Sequence, residues 1–192
     1  MTRGHAKSRL NFRRAVPPVW LMTDERVGEG DLVRAIARLP RGSAIVLRHY
    51  SLSTGARRAL FSRVRRAARR RGAFVLLAGD AHLARTWGAD GHHGRSPRGA
   101  VATPWLHSTP VHNMAELGQA ERAGADVLLL SPLFATRSHP GERPLGPARF
   151  ASLARAAKVP VIALGGVRPR HAALVRRLGA AGFAAIDGLT RA

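Results

Sequence analysis

Short apolar runs recur along the chain, and segments whose apolar residues are spaced for one helix face separate them. Val19-Trp20-Leu21-Met22 is the first run, closed by Thr23-Asp24, and 31–39 follows with helical spacing and an acidic start. Ala44–Leu47 is the second, ending in Arg48-His49-Tyr50. The segment 54–71 after it predicts a helix with Leu60, Val64 and Ala68 on one face and Gly72 as its stop. Phe74–Leu77 leads into Gly79-Asp80, where Asp80 opens a helix through Leu83 to Trp87. Gly88–Gly94 is a weaker fourth strand, and 95–103, punctuated by Pro and Gly, holds little helix. Trp105–Ser108 reads as the fifth strand, followed by a helix over 113–123 with Met114, Leu117 and Ala120 on one side. The remaining strands are Val127–Leu130, Val161–Leu164 and Phe183–Ile186, with helices over 147–157 and 169–178 between them.

Strands alternating with helices at short intervals force parallel pairing through right-handed crossovers. Eight such units in 192 residues predict an α/β fold, a compact single-domain (β/α)8 TIM barrel. An open doubly wound sheet is the alternative. Against it, no G-x-G-x-x-G follows the first strand, and the eighth unit closes on Gly188 with almost no room for a final helix. A barrel gathers the polar residues after its strands at one mouth: Asp24, Arg48, Tyr50, Asp80, His93, His107, Ser131, Thr136, His139, Gly165, Gly166 and Asp187. Residues 1–17 read as a flexible basic N-terminal arm ending at Pro17-Pro18, and 18–192 as the barrel.

Composition narrows the classes. The 45% apolar content is that of an ordinary globular protein, no run of about 18 apolar residues spans a bilayer, and the basic N-terminus lacks a signal-type apolar segment. The expected compartment is the cytoplasm, with no membrane partner. Without cysteine there is no disulfide framework, thiolate nucleophile or Cys-based metal site. The formal charge of +21 invites a nucleic-acid reading, but Arg greatly outnumbers Lys and the interleaved aromatics of single-strand binders are missing. A nucleic-acid partner is not expected; the positive field instead recruits phosphorylated metabolites. Oligomeric state is left open, a homo-oligomer included.

Candidate chemistry concentrates where strands end. The stretch from Asp126 to Gly141 carries an apolar strand into the polar loop Thr136-Arg137-Ser138-His139, and two glycines, Gly165-Gly166, let the backbone approach a ligand with amides free for an anion. Arg48 reads either as an anion ligand or as an ion-pair partner of Asp24 or Asp80. Asp80 reads either as a metal ligand or as a helix cap. His112 and Glu116, four apart, share a helix face, so His112 is either a proton shuttle or a surface residue at a helix start. His92 and His93, adjacent on a strand, point to opposite faces and do not share a metal ion. Ser131 lacks a His-Asp relay, which leaves a ligand hydroxyl or a turn.

These segments in this order resemble thiamine phosphate synthase and the related thiazole tautomerases: Ala123-Gly124-Ala125-Asp126, a strand, the Ser131-to-His139 loop, Pro160 to Val167, and Gly182 to Ile186. The likeness implies a barrel that joins hydroxymethylpyrimidine pyrophosphate to thiazole phosphate, releasing pyrophosphate and making thiamine phosphate. It implies Mg2+ at the leaving group, with Asp80 as metal ligand and Arg48 on the pyrophosphate. It also implies Thr136, Ser138 and His139 as the catalytic loop, Arg137, Gly165, Gly166 and Gly188 on phosphate, and His112 as the tautomerase histidine. Departures accompany it: Gly79 precedes Asp80 where the family has Asn, the second metal carboxylate has no counterpart near Arg95, and Asp187 replaces a serine. The alternatives are therefore a thiazole tautomerase, or a weakened barrel binding an anionic ligand or RNA.

Overall fold

The computed structural model describes residues 16–97, 105–137, 141 and 143–190. Eight parallel strands close into a barrel in chain order: β1 (Val19–Met22), β2 (Ala44–Leu47), β3 (Phe74–Ala78), β4 (Gly91–His93), β5 (Leu106–Val111), β6 (Val127–Leu130), β7 (Val161–Ala163) and β8 (Gly182–Ala185). Helices α1 (Glu29–Arg38), α2 (Thr54–Arg69), α3 (Ala81–Thr86), α4 (Met114–Arg122), α5 (Gly146–Ala156), α6 (Ala172–Arg177) and the short α7 (Asp187–Thr190) lie between or after them, and a 3-10 turn, Pro169–His171, precedes α6. The open-sheet alternative is excluded by the β1–β8 pairing, which aligns Trp20 with Ala184. Among the described residues no helix is long and apolar enough to cross a membrane.

Because each strand is covered on both faces, it is apolar throughout. Trp20, Met22, Val46, Leu76, Leu129 and Ile162 point inward and fill the barrel, while Leu21, Ile45, Leu47, Val75 and Leu77 point outward onto α1 to α3. On α2, Leu60, Phe61, Val64 and Ala68 form the buried stripe, Ser53 caps the start by accepting from the Ala56 amide at 3.3 Å, and Gly72 turns the chain at φ +58°. The arm to residue 15 lies outside the described residues. Pro17 is buried, and its carbonyl accepts a hydrogen bond from Trp20 Nε1 at 2.6 Å.

One strand differs from its reading in a way that moves the site. β5 begins one residue later than predicted and runs three further, through Pro110 to Val111. Pro110 suggested a break because it cannot donate to a ladder. In the parallel register Ser108 faces β4, accepting from the Gly94 amide, whereas Val111 faces β6, accepting from the Ser131 amide. Pro110 thus faces the β4 side, whose strand has already ended at His93, so its missing N–H leaves no ladder bond unmade. The consequence is that His107 lies on the outer face, its ring stacked on His92 at 4.2 Å, and is not a mouth residue. His112 takes that place.

Candidate active site

A cavity of about 700 Å³ opens at the C-terminal ends of the strands. Arg48 lines it from the β2 end, His112 from β5, Ser131, Thr136 and Arg137 from the loop after β6, Gly165, Gly166, Arg168 and Arg170 from beyond β7, and Asp187 and Gly188 from beyond β8. Arg48 and Gly166, read from opposite halves of the sequence, face the same space. Ser138 and His139 lie outside the described residues. Asp80 and His93 are not among the lining residues; Tyr50 is exposed, beneath the Arg57 guanidinium at 5.3 Å.

Arg48 is held from several sides. Its Nε donates to the Thr23 carbonyl at 2.7 Å and its Nη2 to Asp24 Oδ2 at 2.9 Å, while its amide donates to Thr23 Oγ1 at 3.0 Å. The Thr23 hydroxyl, already accepting, donates its own proton to His49 Nδ1 at 2.9 Å, which leaves the imidazole proton on Nε2. That bond secures His49 at φ +43°, a left-handed conformation uncommon outside glycine. Asp24 is shared: Arg26 binds both its oxygens, Nε to Oδ1 at 2.7 Å and Nη2 to Oδ2 at 3.1 Å. The Arg26 hydrogen bond, with the charges of Arg26 and Arg48, holds the Asp24 carboxyl at about 2 against the cost of its burial. With Arg26 in place, Arg48 can turn to a ligand anion without leaving Asp24 unpaired. Behind Arg48, Arg57 on α2 donates to the Arg48 carbonyl at 2.8 Å and the Ala78 carbonyl at 2.6 Å, tying the ends of β2 and β3 together.

The glycine pair is required by packing as well as by conformation. Gly165 and Gly166 have φ of +92° and +64°. A Cβ on Gly165 would stand 2.6 Å from Pro132 Cα, and one on Gly166 would stand 2.5 Å from the Ala135 carbonyl. The β7 loop therefore lies directly against the β6 loop, joined by Leu133 N–H to the Leu164 carbonyl at 2.8 Å and Phe134 N–H to the Gly165 carbonyl at 3.0 Å. Their carbonyls are used, and the Gly165 and Gly166 amides have no acceptor among the described residues. Two unengaged amides beside Arg168 make an anion cradle. Gly188 completes it, since a Cβ there would stand 2.9 Å from the Val167 carbonyl and 3.2 Å from Arg168 Cα.

At the β5 end, Asn113 caps α4 by accepting from the Glu116 amide at 2.9 Å, and the Glu116 carboxylate bends back to accept from the His112 amide at 3.0 Å. The same oxygen lies 2.8 Å from His112 Nδ1 and 3.2 Å from Arg95 Nη2. Burial raises the Glu116 pKa, but the bond from His112 and the two positive neighbours outweigh it, so the carboxyl is lowered and ionised. A carboxylate only accepts, so Nδ1 carries the proton and Nε2 is the nitrogen free to exchange one with a ligand.

Below the mouth, His93 points inward with Nδ1 3.0 Å from Ser108 Oγ, and burial followed by the charge of Arg48 lowers its pKa to about 3. His92 points outward and receives the Trp105 indole N–H at 3.1 Å; burial, then His107, lower it to about 4. The adjacent pair thus splits between faces as strand alternation requires.

Magnesium needs several hard oxygen donors converging. Asp80 serves as the cap of α3, accepting from the Leu83 amide at 2.8 Å, and among the described residues no three His, Asp or Glu side chains could surround an ion. Asp24 is already matched by two guanidiniums. The described side chains do not fit a magnesium ion held by the protein itself.

Sequence reasoning missed Arg168 and Arg170, because 169–178 read as one helix; the 3-10 turn at its start keeps both at the cavity. The available signal was an Arg-Pro-Arg run one residue beyond two glycines at a strand end. It also missed Arg26, whose role depends on a bridge that spacing cannot show.

A family model described as thiamine monophosphate synthase matches residues 19–189. The chain is 33% identical over 187 residues to a thiamine-phosphate synthase of Salinispora arenicola, covering 90% of this chain and 88% of the relative. It is 35% identical over 137 residues to a thiamine biosynthesis bifunctional protein, ThiM/ThiE, of Symbiobacterium thermophilum, covering 67% of this chain but 28% of that one. The chain spans less than half the length of several curated relatives that it matches. Among solved structures, a thiamine phosphate pyrophosphorylase from Pyrococcus furiosus superposes with a TM-score of 0.75 at 22% identity, over 95% of this chain and 91% of that one, a likeness of fold. Matched by the family model over nearly all its described length, the chain belongs to the thiamine monophosphate synthase family.

Proposed function

We propose that this chain is a thiamine phosphate synthase-like transferase that joins hydroxymethylpyrimidine pyrophosphate to thiazole phosphate. The observation that carries the reading is the placement of Arg48 and the Gly165-Gly166 amides in one cavity, two anion-binding elements sharing a space of about 700 Å³. In the reaction, the bond between the pyrimidine methylene carbon and the pyrophosphate oxygen breaks and its electron pair leaves with the pyrophosphate. The thiazole nitrogen lone pair then forms the new C–N bond. No proton has to be removed for that exchange, so the protein's work is positional and electrostatic. Arg48 and Arg137 meet the charge growing on the leaving group, and the cradle beyond β7 seats the thiazole phosphate. Magnesium, implied by the family likeness, has no set of side-chain donors here, and no step is assigned to it. Pyrophosphate release that requires both substrates together supports this reading; release indifferent to thiazole phosphate counts against it.

The His112–Glu116 pair favours a second reading, thiazole tautomerase. A neutral imidazole with Nδ1 fixed and Nε2 free can take a proton from one ring position and return it to another, with no net loss of atoms. Isomerisation of the thiazole carboxylate tautomer by the purified chain, abolished in His112→Ala, would favour it.

A further inference from the structure

We propose that Arg168 is a specificity-determining residue for phosphate monoesters, offsetting the carboxylate of Asp187 at the rim of the cradle. The inference rests on the reading that the β7–β8 end of the cavity seats the phosphate of one substrate. Three observations carry it. Asp187 and Arg168 line the same cavity, and the backbones that carry them are in contact, Arg168 Cα lying 3.2 Å from the Cβ position of Gly188. A lone carboxylate beside the Gly165-Gly166 amides repels a phosphate, so a cation must accompany it if an anion is to bind. Arg168 has no carboxylate partner among the described residues, in contrast to Arg48, which is already paired with Asp24.

The segment that carries Arg168 is fixed in place. Its amide lies 3.2 Å from His171 Nδ1, and Arg170 Nε lies 3.3 Å from His171 Nε2. A neutral imidazole accepts at one nitrogen only, so one of these contacts is the hydrogen bond and the other a packing contact. The His171 ring stands edge-on to Phe134 at 5.0 Å, which joins the turn to the β6 loop. Val167, just before, is buried in the outer core. The guanidinium is thus exposed on a rigid base, the arrangement that gives an arginine a planar, two-pronged grip on phosphate at small entropic cost. A hydroxyl-terminated ligand gains nothing from this arrangement. It would meet Asp187 as an acceptor and leave Arg168 unused.

The test is a binding experiment, independent of turnover. Amide resonances of Gly165 and Gly166 are followed during titration with inorganic phosphate and with ethyl phosphate, and with ethanol as the uncharged control. The expected result is saturable shifts with both phosphates, none with ethanol, and affinity lowered about tenfold or more in Arg168→Gln, the loss of one charge-assisted contact. Asp187→Ser should tighten phosphate binding and restore much of the affinity lost in Arg168→Gln, a coupling that a purely structural Arg168 would not produce. Unchanged phosphate affinity in Arg168→Gln overturns the proposal, as does additivity of the two substitutions. No shift with either phosphate in the wild type overturns the cradle itself, a different outcome from failure to form product.

Discussion

At the scale of single residues, the site turns on charges whose partners decide what they can do. Arg48 was legible as a mouth residue from its place after a strand, but the sharing of Asp24 between Arg26 and Arg48 was not, because Asp24 and Arg26 are neighbours in sequence while Arg48 comes from the next strand. Asp80 shows the reverse: its position beside a helix start allowed two roles, and the hydrogen bond to the Leu83 amide realises the cap. Replacing it separates them. Asp80→Ala should destabilise the fold by about 1 kcal/mol through loss of the cap, whereas Asp80→Asn should keep nearly full stability, as read by urea unfolding. If Asp80→Asn instead loses turnover at full stability, its charge matters beyond the cap and the side-chain inventory for magnesium needs revision.

At the scale of elements, the strands were legible because parallel strands buried on both faces are apolar without interruption. The helix starts were marked by Ser53, Asp80 and Asn113, each of which accepts from an amide three residues on. What escaped were places where one element's geometry depends on its neighbour. Pro110 sits in β5 because β4 has ended, and Arg168 stays at the cavity because its helix begins as a 3-10 turn. The glycines give a direct test of that dependence. Gly72 and Gly166 both have positive φ, yet a Cβ on Gly72 meets nothing within 4 Å while one on Gly166 meets the Ala135 carbonyl at 2.5 Å. Gly72→Ala should cost about 1 kcal/mol, the conformational penalty alone. Gly166→Ala should cost more, on the order of 3 kcal/mol, and should also weaken anion binding. Equal losses in thermal unfolding would mean the β6 and β7 loops are not packed as described.

At the scale of the whole molecule, buried histidines tie stability to pH. His93 and His92 have native pKa values of about 3 and about 4, below the ordinary 6.5, because burial disfavours their charged forms. Below about pH 6.5 the unfolded chain therefore takes up protons that the native barrel refuses, and stability falls with pH by about 1 kcal/mol per unit for each histidine until the native values are reached. Asp24 adds its own loss lower down, as pH drops from the normal carboxylate range toward about 2. Denaturant unfolding between pH 7 and 4 checks this; a flat profile contradicts two neutral buried imidazoles. The barrel itself was legible from eight repeating units, and closure brought Arg48 and the glycine pair to one cavity, which spacing alone could only suggest. The central claim is that this cavity couples two phosphorylated substrates with Arg48 at the leaving group. It is tested most directly by measuring thiamine phosphate formation from hydroxymethylpyrimidine pyrophosphate and thiazole phosphate in wild type, Arg48→Lys and Arg48→Ala. The expected result is product in the wild type, a rate about 100-fold lower in Arg48→Ala, and partial recovery in Arg48→Lys, since a contact that strengthens as charge develops acts on the transition state. No product from the folded wild type, or an undiminished rate in Arg48→Ala, would contradict it.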